Sequence, residues 1–112
     1  MNAEAWLVSH LSERLGVPAY AEVPGDRPER FVTVERTGGS SEPFRDLPTV
    51  AVQCWAQTRY EASEMARRAR DACLDYVDEP GVSRVDVTSV YDFPDPDSRQ
   101  PRYQLVVELV TA

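Results

Sequence analysis

The chain has no lysine, so all 12 of its basic residues are arginine, and these are set against 19 Asp and Glu for a net charge of -7. The acidity is spread along the chain. Residues 1–56 carry 8 acids against 5 Arg, and residues 57–112 carry 11 against 7. A positive footprint able to displace phosphate counterions is therefore missing, which argues against ordinary nucleic-acid binding. The same acidity argues against docking on anionic lipid. No apolar run approaches the ~20 residues a bilayer requires. The N-terminus lacks the basic start and apolar stretch of a signal peptide, its first Arg being Arg14. Cysteine and histidine are nearly absent too. Cys54, Cys73 and His10 show no CxxC or Cys/His spacing, so neither a zinc site nor a multi-His cage is expected. The two cysteines read as reduced core thiols. At 112 residues the chain has room for one two-layer core, so residues 1–112 are expected to form a single domain without separate cofactor and substrate units.

What is present reads as alternating helical and extended segments. Leu7, Leu11 and Leu15 recur at helical spacing in Ala3 to Leu15, with Gly16 as the stop. Ala19 to Val23 is a candidate short strand, and Phe31 to Arg36 is a strand by its β-branched run. Thr37 to Leu47, with Gly38-Gly39 and Ser40-Ser41, reads as a long flexible loop carrying Phe44 near its tip. Pro48 then permits a strand start. Thr49 to Thr58 alternates, with Val50, Val52, Cys54 and Ala56 expected to face the core. Arg59 to Val77 has the strongest helical periodicity, through Ala62, Met65, Ala66, Ala69, Cys73, Tyr76 and Val77. Val82 to Phe93, with Val85, Val87, Ser89, Tyr91 and Phe93 expected to share one face, and Arg102 to Thr111 form a final hairpin. Its Pro94–Pro101 connection reads as exposed. The expected fold is α+β: a mostly antiparallel sheet of four to five strands with two helices packed on one face.

The catalytic inventory is thin. His10 has no GxSxG partner, and the adjacent Ser9 points about 100° away on a helix. Asp95 with Asp97, and Asp78 with Glu79, lie beside prolines rather than in a cleft pattern. Gly38-Gly39 is followed by no phosphate-loop motif. No catalytic residue, cofactor or metal is therefore expected, and the chain reads as non-enzymatic. The residues that invite a function are those suited to contacts. Trp55 sits mid-strand opposite the Val/Cys stripe, either packed beneath a loop or buried at a subunit contact. Phe44 and Arg45 stand on the flexible loop, while Arg36 and Arg59 border the same strands with bidentate guanidinium groups. Arg36, Phe44, Arg45, Trp55 and Arg59 are the candidate interface residues.

The run RPERFVTVERTGG (Arg27 to Gly39), followed by PTVAVQCWAQTRYEASEMARRARDA (Pro48 to Ala72), resembles the tail terminator, or minor tail and tail completion, proteins of long-tailed bacteriophages. The shared pattern is a strand ending in E-R-T-G-G, a variable loop, a strand ending Q-x-W-A, and a helix opening T-R-x-E-A. It covers about half the chain. The final hairpin, ending YQLVVELVTA, fits the same order of elements. The resemblance implies a subunit that closes a homo-hexameric ring on the end of the tail tube. Such a ring stops further polymerisation and presents a surface to neck and head-completion proteins. It also implies a virion location at the neck-proximal end of the tail, with assembly in the host cytoplasm. DNA would pass through the lumen without specific binding, and six copies would bring a net charge of about -42 to that passage. No membrane contact is implied. A head-side neck or connector protein is the alternative within phage assembly. A small cytosolic ligand-binding domain is the alternative outside it.

Overall fold

Both helices begin and end on side-chain and backbone caps that the sequence supplies. In the computed structural model, which describes residues 1–76 and 79–112, α1 spans Ala3–Leu15. The Asn2 side chain accepts from the Ala5 amide at 3.0 Å, and Gly16 closes the helix in the left-handed region at φ 69°. The second helix, α2, spans Arg59–Leu74 and opens on Thr58, whose hydroxyl accepts from the Glu61 amide at 3.1 Å. The helix ends at Leu74, with Asp75 already in a non-helical conformation, so it stops short of the expected Val77. Val77 itself, and the Asp78 partner of the Asp78–Glu79 carboxylate pair, lie outside the described residues.

Five strands form one sheet: β1 (Ala19–Tyr20), β2 (Phe31–Glu42), β3 (Arg45–Trp55), β4 (Val82–Asp92) and β5 (Arg102–Thr111), in the order β1-β2-β3-β5-β4. Only the two-residue β1 runs parallel to its neighbour, so the sheet is mostly antiparallel. The fold is α+β, as the sequence pattern implies. Alternation along each strand decides the layers. Val32 and Val34 of β2, Val50, Val52 and Cys54 of β3, and Leu105, Val107 and Leu109 of β5 face both helices and are buried. Against them pack Leu7, Leu11 and Leu15 of α1 and Ala62, Met65, Ala66, Ala69 and Cys73 of α2. The alanine stripe lets α2 lie close on the sheet. The helices are tied to each other at their polar rims. His10 Nε2 donates to the Ala72 carbonyl at 2.7 Å, Arg68 donates to the Leu15 carbonyl at 3.1 Å, and Arg14 pairs with Asp75. The Arg68 contact places a cation at the C-terminus of α1, where the helix dipole favours it.

Three local expectations are corrected. The segment Thr37 to Leu47 is not a loop. β2 and β3 continue through it as a ribbon, paired from Gly38 with Thr49 to Glu42 with Arg45, leaving only Pro43-Phe44 as the turn. Glycine and serine are poor strand formers, but here the facing strand runs in register with them from Gly38 to Glu42. Pro48 accordingly lies inside β3 rather than at its start, opposite Gly39. Secondly, the face of β4 changes midway. The register shifts between Val87 and Ser89, so Val85 and Val87 face the helices while Ser89 and Tyr91 pair on the opposite side. One extra residue in a bulge reverses the alternation of everything beyond it. Thirdly, the Pro94–Pro101 connection is not wholly exposed. Asp95 is buried, accepting from the Ser98 amide and hydroxyl.

The sheet-to-helix layer predicts the stability of the whole chain. Leu105 is fully buried in the central cluster, and Leu105→Ala is expected to cost about 2–5 kcal/mol in urea denaturation. A loss well below that range would contradict a core assembled around β5.

Candidate functional site

The ribbon made by the outer halves of β2 and β3 is an arm. It contributes to a long axis of 41 Å in a molecule otherwise about 25 by 24 Å across. Its departure from the sheet is fixed by backbone geometry. The β2–β3 register shifts between Arg36 and Gly38, and Gly39 follows at φ 99°. A β-carbon at Gly39 would overlap the Leu47 carbonyl oxygen and stand 2.8 Å from the Pro48 Cα, so only glycine fits.

Above that point the arm is clamped. The Arg36 guanidinium donates to both carboxylate oxygens of Asp46, at 2.5 and 3.0 Å, and its Nε donates to the Gly38 carbonyl at 2.9 Å. This is a fork-to-fork pairing with the directionality that arginine provides. The Ser41 hydroxyl donates to Asp46 at 2.8 Å and the Leu47 amide at 3.1 Å. The Arg36 hydrogen bonds, followed by that from Ser41, hold the Asp46 carboxyl at about 2, against an ordinary value of 3.8. Nearer the tip, Arg45 pairs with Glu42 at 2.6 Å.

The turn itself is an unfavourable one. Proline at its first central position fixes a negative φ there, which excludes the hairpin turns whose twist matches the strands. The second central residue, Phe44, then takes φ 73°, a region that suits glycine and burdens an aromatic side chain. Phe44 is also 100% exposed. A large apolar ring is thus held in water, on strained backbone, at the far end of a braced ribbon, with no intramolecular contact to offset either cost.

The other candidate residues lie elsewhere. Trp55 is at the opposite end of β3 and is 2% exposed. Its ring stacks on Phe31 with centroids 5.2 Å apart, and the guanidinium groups of Arg102 and Arg27 lie over it at 4.8 and 5.1 Å. Asp95 lies within 4.0 Å of both cations. Burial pulls the Arg102 pKa down and the Asp95 charge opposes that shift. From Trp55 a chain of side-chain hydrogen bonds crosses the uncovered face of the sheet. The indole donates to Thr33, Thr33 to Gln53, Gln53 to Gln104, and Gln104 to Tyr91. Arg59 is exposed at the start of α2. The structure therefore brings Arg36, Phe44 and Arg45 together on one arm, and separates them from Trp55 and Arg59.

Asp46 belongs to the arm and has no sign of its role in the sequence, where Gly39 and Ser41 read only as flexible-loop residues. The signal available was Glu42 and Arg45, opposite charges flanking two residues, which is a hairpin pattern. A groove of about 420 Å³ opens between the arm and the ends of β4 and β5, with Leu47, Pro48, Leu109 and Val110 in its walls and Asp86 and Glu108 beside them. Among the described residues, no group of three or more His, Cys, Asp or Glu could hold a metal ion. No helix is long and apolar enough to cross a membrane. Burial raises both cysteine thiols, Cys73 to about 12 and Cys54 further still, so neither is poised as a nucleophile.

No protein-family model and no curated protein matches the chain. Among solved structures it is similar to a chain in the virion of a native gene transfer agent particle. The TM-score is 0.69 at 14% identity, covering 99% of this chain and 98% of that one. The two share a fold over essentially their whole lengths.

Two outcomes follow from the arm's geometry. Phe44→Gly relieves the positive φ and, after the entropy that glycine loses on folding, should stabilise the isolated chain by about 0.5–1 kcal/mol in thermal denaturation; a destabilised variant would contradict strain at the tip. The Asp46 carboxyl has a lower pKa folded than unfolded. Its contribution is therefore complete above pH 3.8 and is lost as pH falls toward about 2. Amide exchange at Leu47 should accelerate across that window, and Asp46→Asn should remove the transition.

Proposed function

We propose that the protein is a non-enzymatic structural subunit of a phage-like virion. In this reading it is a tail terminator that closes a ring, six copies in number, on the end of the tail tube and forms the joint to the neck proteins. The observation that carries the reading is the arm tip, Phe44 held fully exposed at positive φ on a ribbon braced by the Arg36–Asp46 pair. A chain that works alone gains nothing from that arrangement; a chain that docks its tip on another surface recovers both costs on assembly. The sequence resemblance and the fold shared with a chain of a gene transfer agent virion support the same reading.

The mechanism is then one of shape and closure. A cap needs lateral contacts that repeat by rotation and end surfaces that differ, one toward the tube and one toward the neck. The arm extends beyond the covered layer and is suited to contact a neighbouring copy or the tube end. The helices and the uncovered sheet face are the two unlike broad surfaces. The net charge of -7 per copy repels DNA phosphates and keeps the genome's passage free of bound states. No cofactor, metal or membrane enters the mechanism.

Electron microscopy of particles made without the protein tests this directly. Overlong tubes are the expected outcome. Tails of normal length beside unjoined heads would assign the chain to the head side of the neck instead, and intact particles would contradict any role in the joint. Particles carrying Phe44→Ala with Arg45→Ala should show the same defect as the deletion. Normal tail length and head joining in that variant would remove the arm from the mechanism.

A further inference from the structure

The groove beside the arm has a chemistry that matches the arm's own tip. By the pairing register, Thr49, Glu108 and Asp86 lie side by side across β3, β5 and β4 on the uncovered face. Asp86 and Glu108 are thus directly opposed like charges, an arrangement that weakens a sheet unless a cation compensates it. Arg84 compensates Asp86 at 2.7 Å. Glu108 is exposed and has no ion pair among the described residues. Leu47 and Val110, both half-buried, supply apolar wall, and the volume of about 420 Å³ is ample for one aromatic ring. The groove therefore asks for an aromatic side chain with a cation next to it. The tip offers that pair in sequence, Phe44 followed by Arg45, with Phe44 fully exposed and the Arg45 side chain 55% exposed, its Nε on Glu42 and its terminal nitrogens without a partner among the described residues.

We propose that the Phe44–Arg45 tip of one copy seats in the groove of a second copy, the ring of Phe44 against Leu47 and Val110 and the terminal guanidinium nitrogens of Arg45 on Glu108. Phe44's complete exposure shows that a chain does not fill its own groove. Tip and groove are different surfaces of the same chain, so the contact is head-to-tail, and it repeats from copy to copy until rotation closes it. The inference rests on the reading of the chain as a self-assembling subunit and names the surface that receives the arm. It also explains the retained strain, since an aromatic anchor entering a desolvated pocket, beside a charge pair, is the usual centre of a binding surface.

Disulfide trapping tests the contact. Cys54 and Cys73 are buried, so new surface thiols report without background. Phe44→Cys on one preparation and Val110→Cys on another, mixed at millimolar concentration under mild oxidation, should give a covalent dimer. One chain bearing both changes should give a ladder. Ser9→Cys, on the outer surface of α1, is the control in place of Val110→Cys and should give no dimer with Phe44→Cys. Sedimentation of the unmodified chain should show self-association that Phe44→Ala weakens about tenfold or more. A full-length Phe44→Ala chain that associates normally overturns the proposal. So does absence of the Phe44→Cys/Val110→Cys dimer, or its formation no faster than with the Ser9→Cys control. If the unmodified chain sediments as an oligomer while the link fails to form, the tip-in-groove contact falls and the ring reading stands. The ring reading itself is decided by the tail-length micrographs.

Discussion

The Arg36–Asp46 pair sits where the sheet stops being a covered layer and becomes a free-standing ribbon. Inward of it, β2 and β3 are held from below by two helices and from the side by β5. β5 flanks β3 as far as Asp46, opposite Thr111, and beyond that only the partner strand and a few polar side chains hold the tip. A two-stranded hairpin alone is marginal in water. This one also ends in a turn whose proline opposes the strand twist and whose phenylalanine occupies a glycine's conformation. The bidentate clamp, the hydroxyl of Ser41 and the Glu42–Arg45 pair near the tip are what keep such a ribbon formed.

The rest of the molecule serves as the base for that arm. α2 uses alanine where other helices use leucine, so it lies close on the sheet, and its contacts with α1 are made at the rims by His10, Arg14 and Arg68. At the end of β3 away from the arm, Trp55 is enclosed by Phe31, Arg27 and Arg102. From there the Thr33–Gln53–Gln104–Tyr91 relay stiffens the uncovered face. β3 therefore carries packing and rigidity at one end and the exposed arm at the other. The five arginine and aromatic residues singled out from the sequence divide along the same line. Trp55 stabilises the base, Arg59 starts a helix on the surface, and Arg36, Phe44 and Arg45 make the arm.

The layered fold was legible because its signals are local and periodic. The leucines of α1 and the alanines of α2 repeat at helical spacing, and Val50, Val52 and Cys54 alternate along β3. The bounds of α1 and β5 agree residue for residue with the structure. The arm was not legible, for a physical reason. Gly38, Gly39, Ser40 and Ser41 have no intrinsic preference for a strand, and their extension depends on partners across the turn in β3, from Thr49 to Asp46. The reversal of face in β4 was hidden too, because a bulge is a property of two strands and leaves little trace in one. For the site, an exposed aromatic at a loop tip could be read as a contact residue. Its positive φ, the clamp beneath it and the groove formed with β4 and β5 required the fold.

The cysteines and the histidine of the chain are taken up by its own structure. Its two thiols are buried and hard to ionise, its histidine is engaged on a helix carbonyl, and the buried Thr33, Asp95 and Arg102 side chains belong to structural networks. What stands apart is Phe44, fully exposed and strained. Hydroxyl-radical footprinting of that ring, in the free chain and in the assembled particle, is the most direct measurement. Heavy labelling when free and near-complete protection in the particle is the predicted result. Equal labelling in both states would contradict the claim that assembly is what the arm is for.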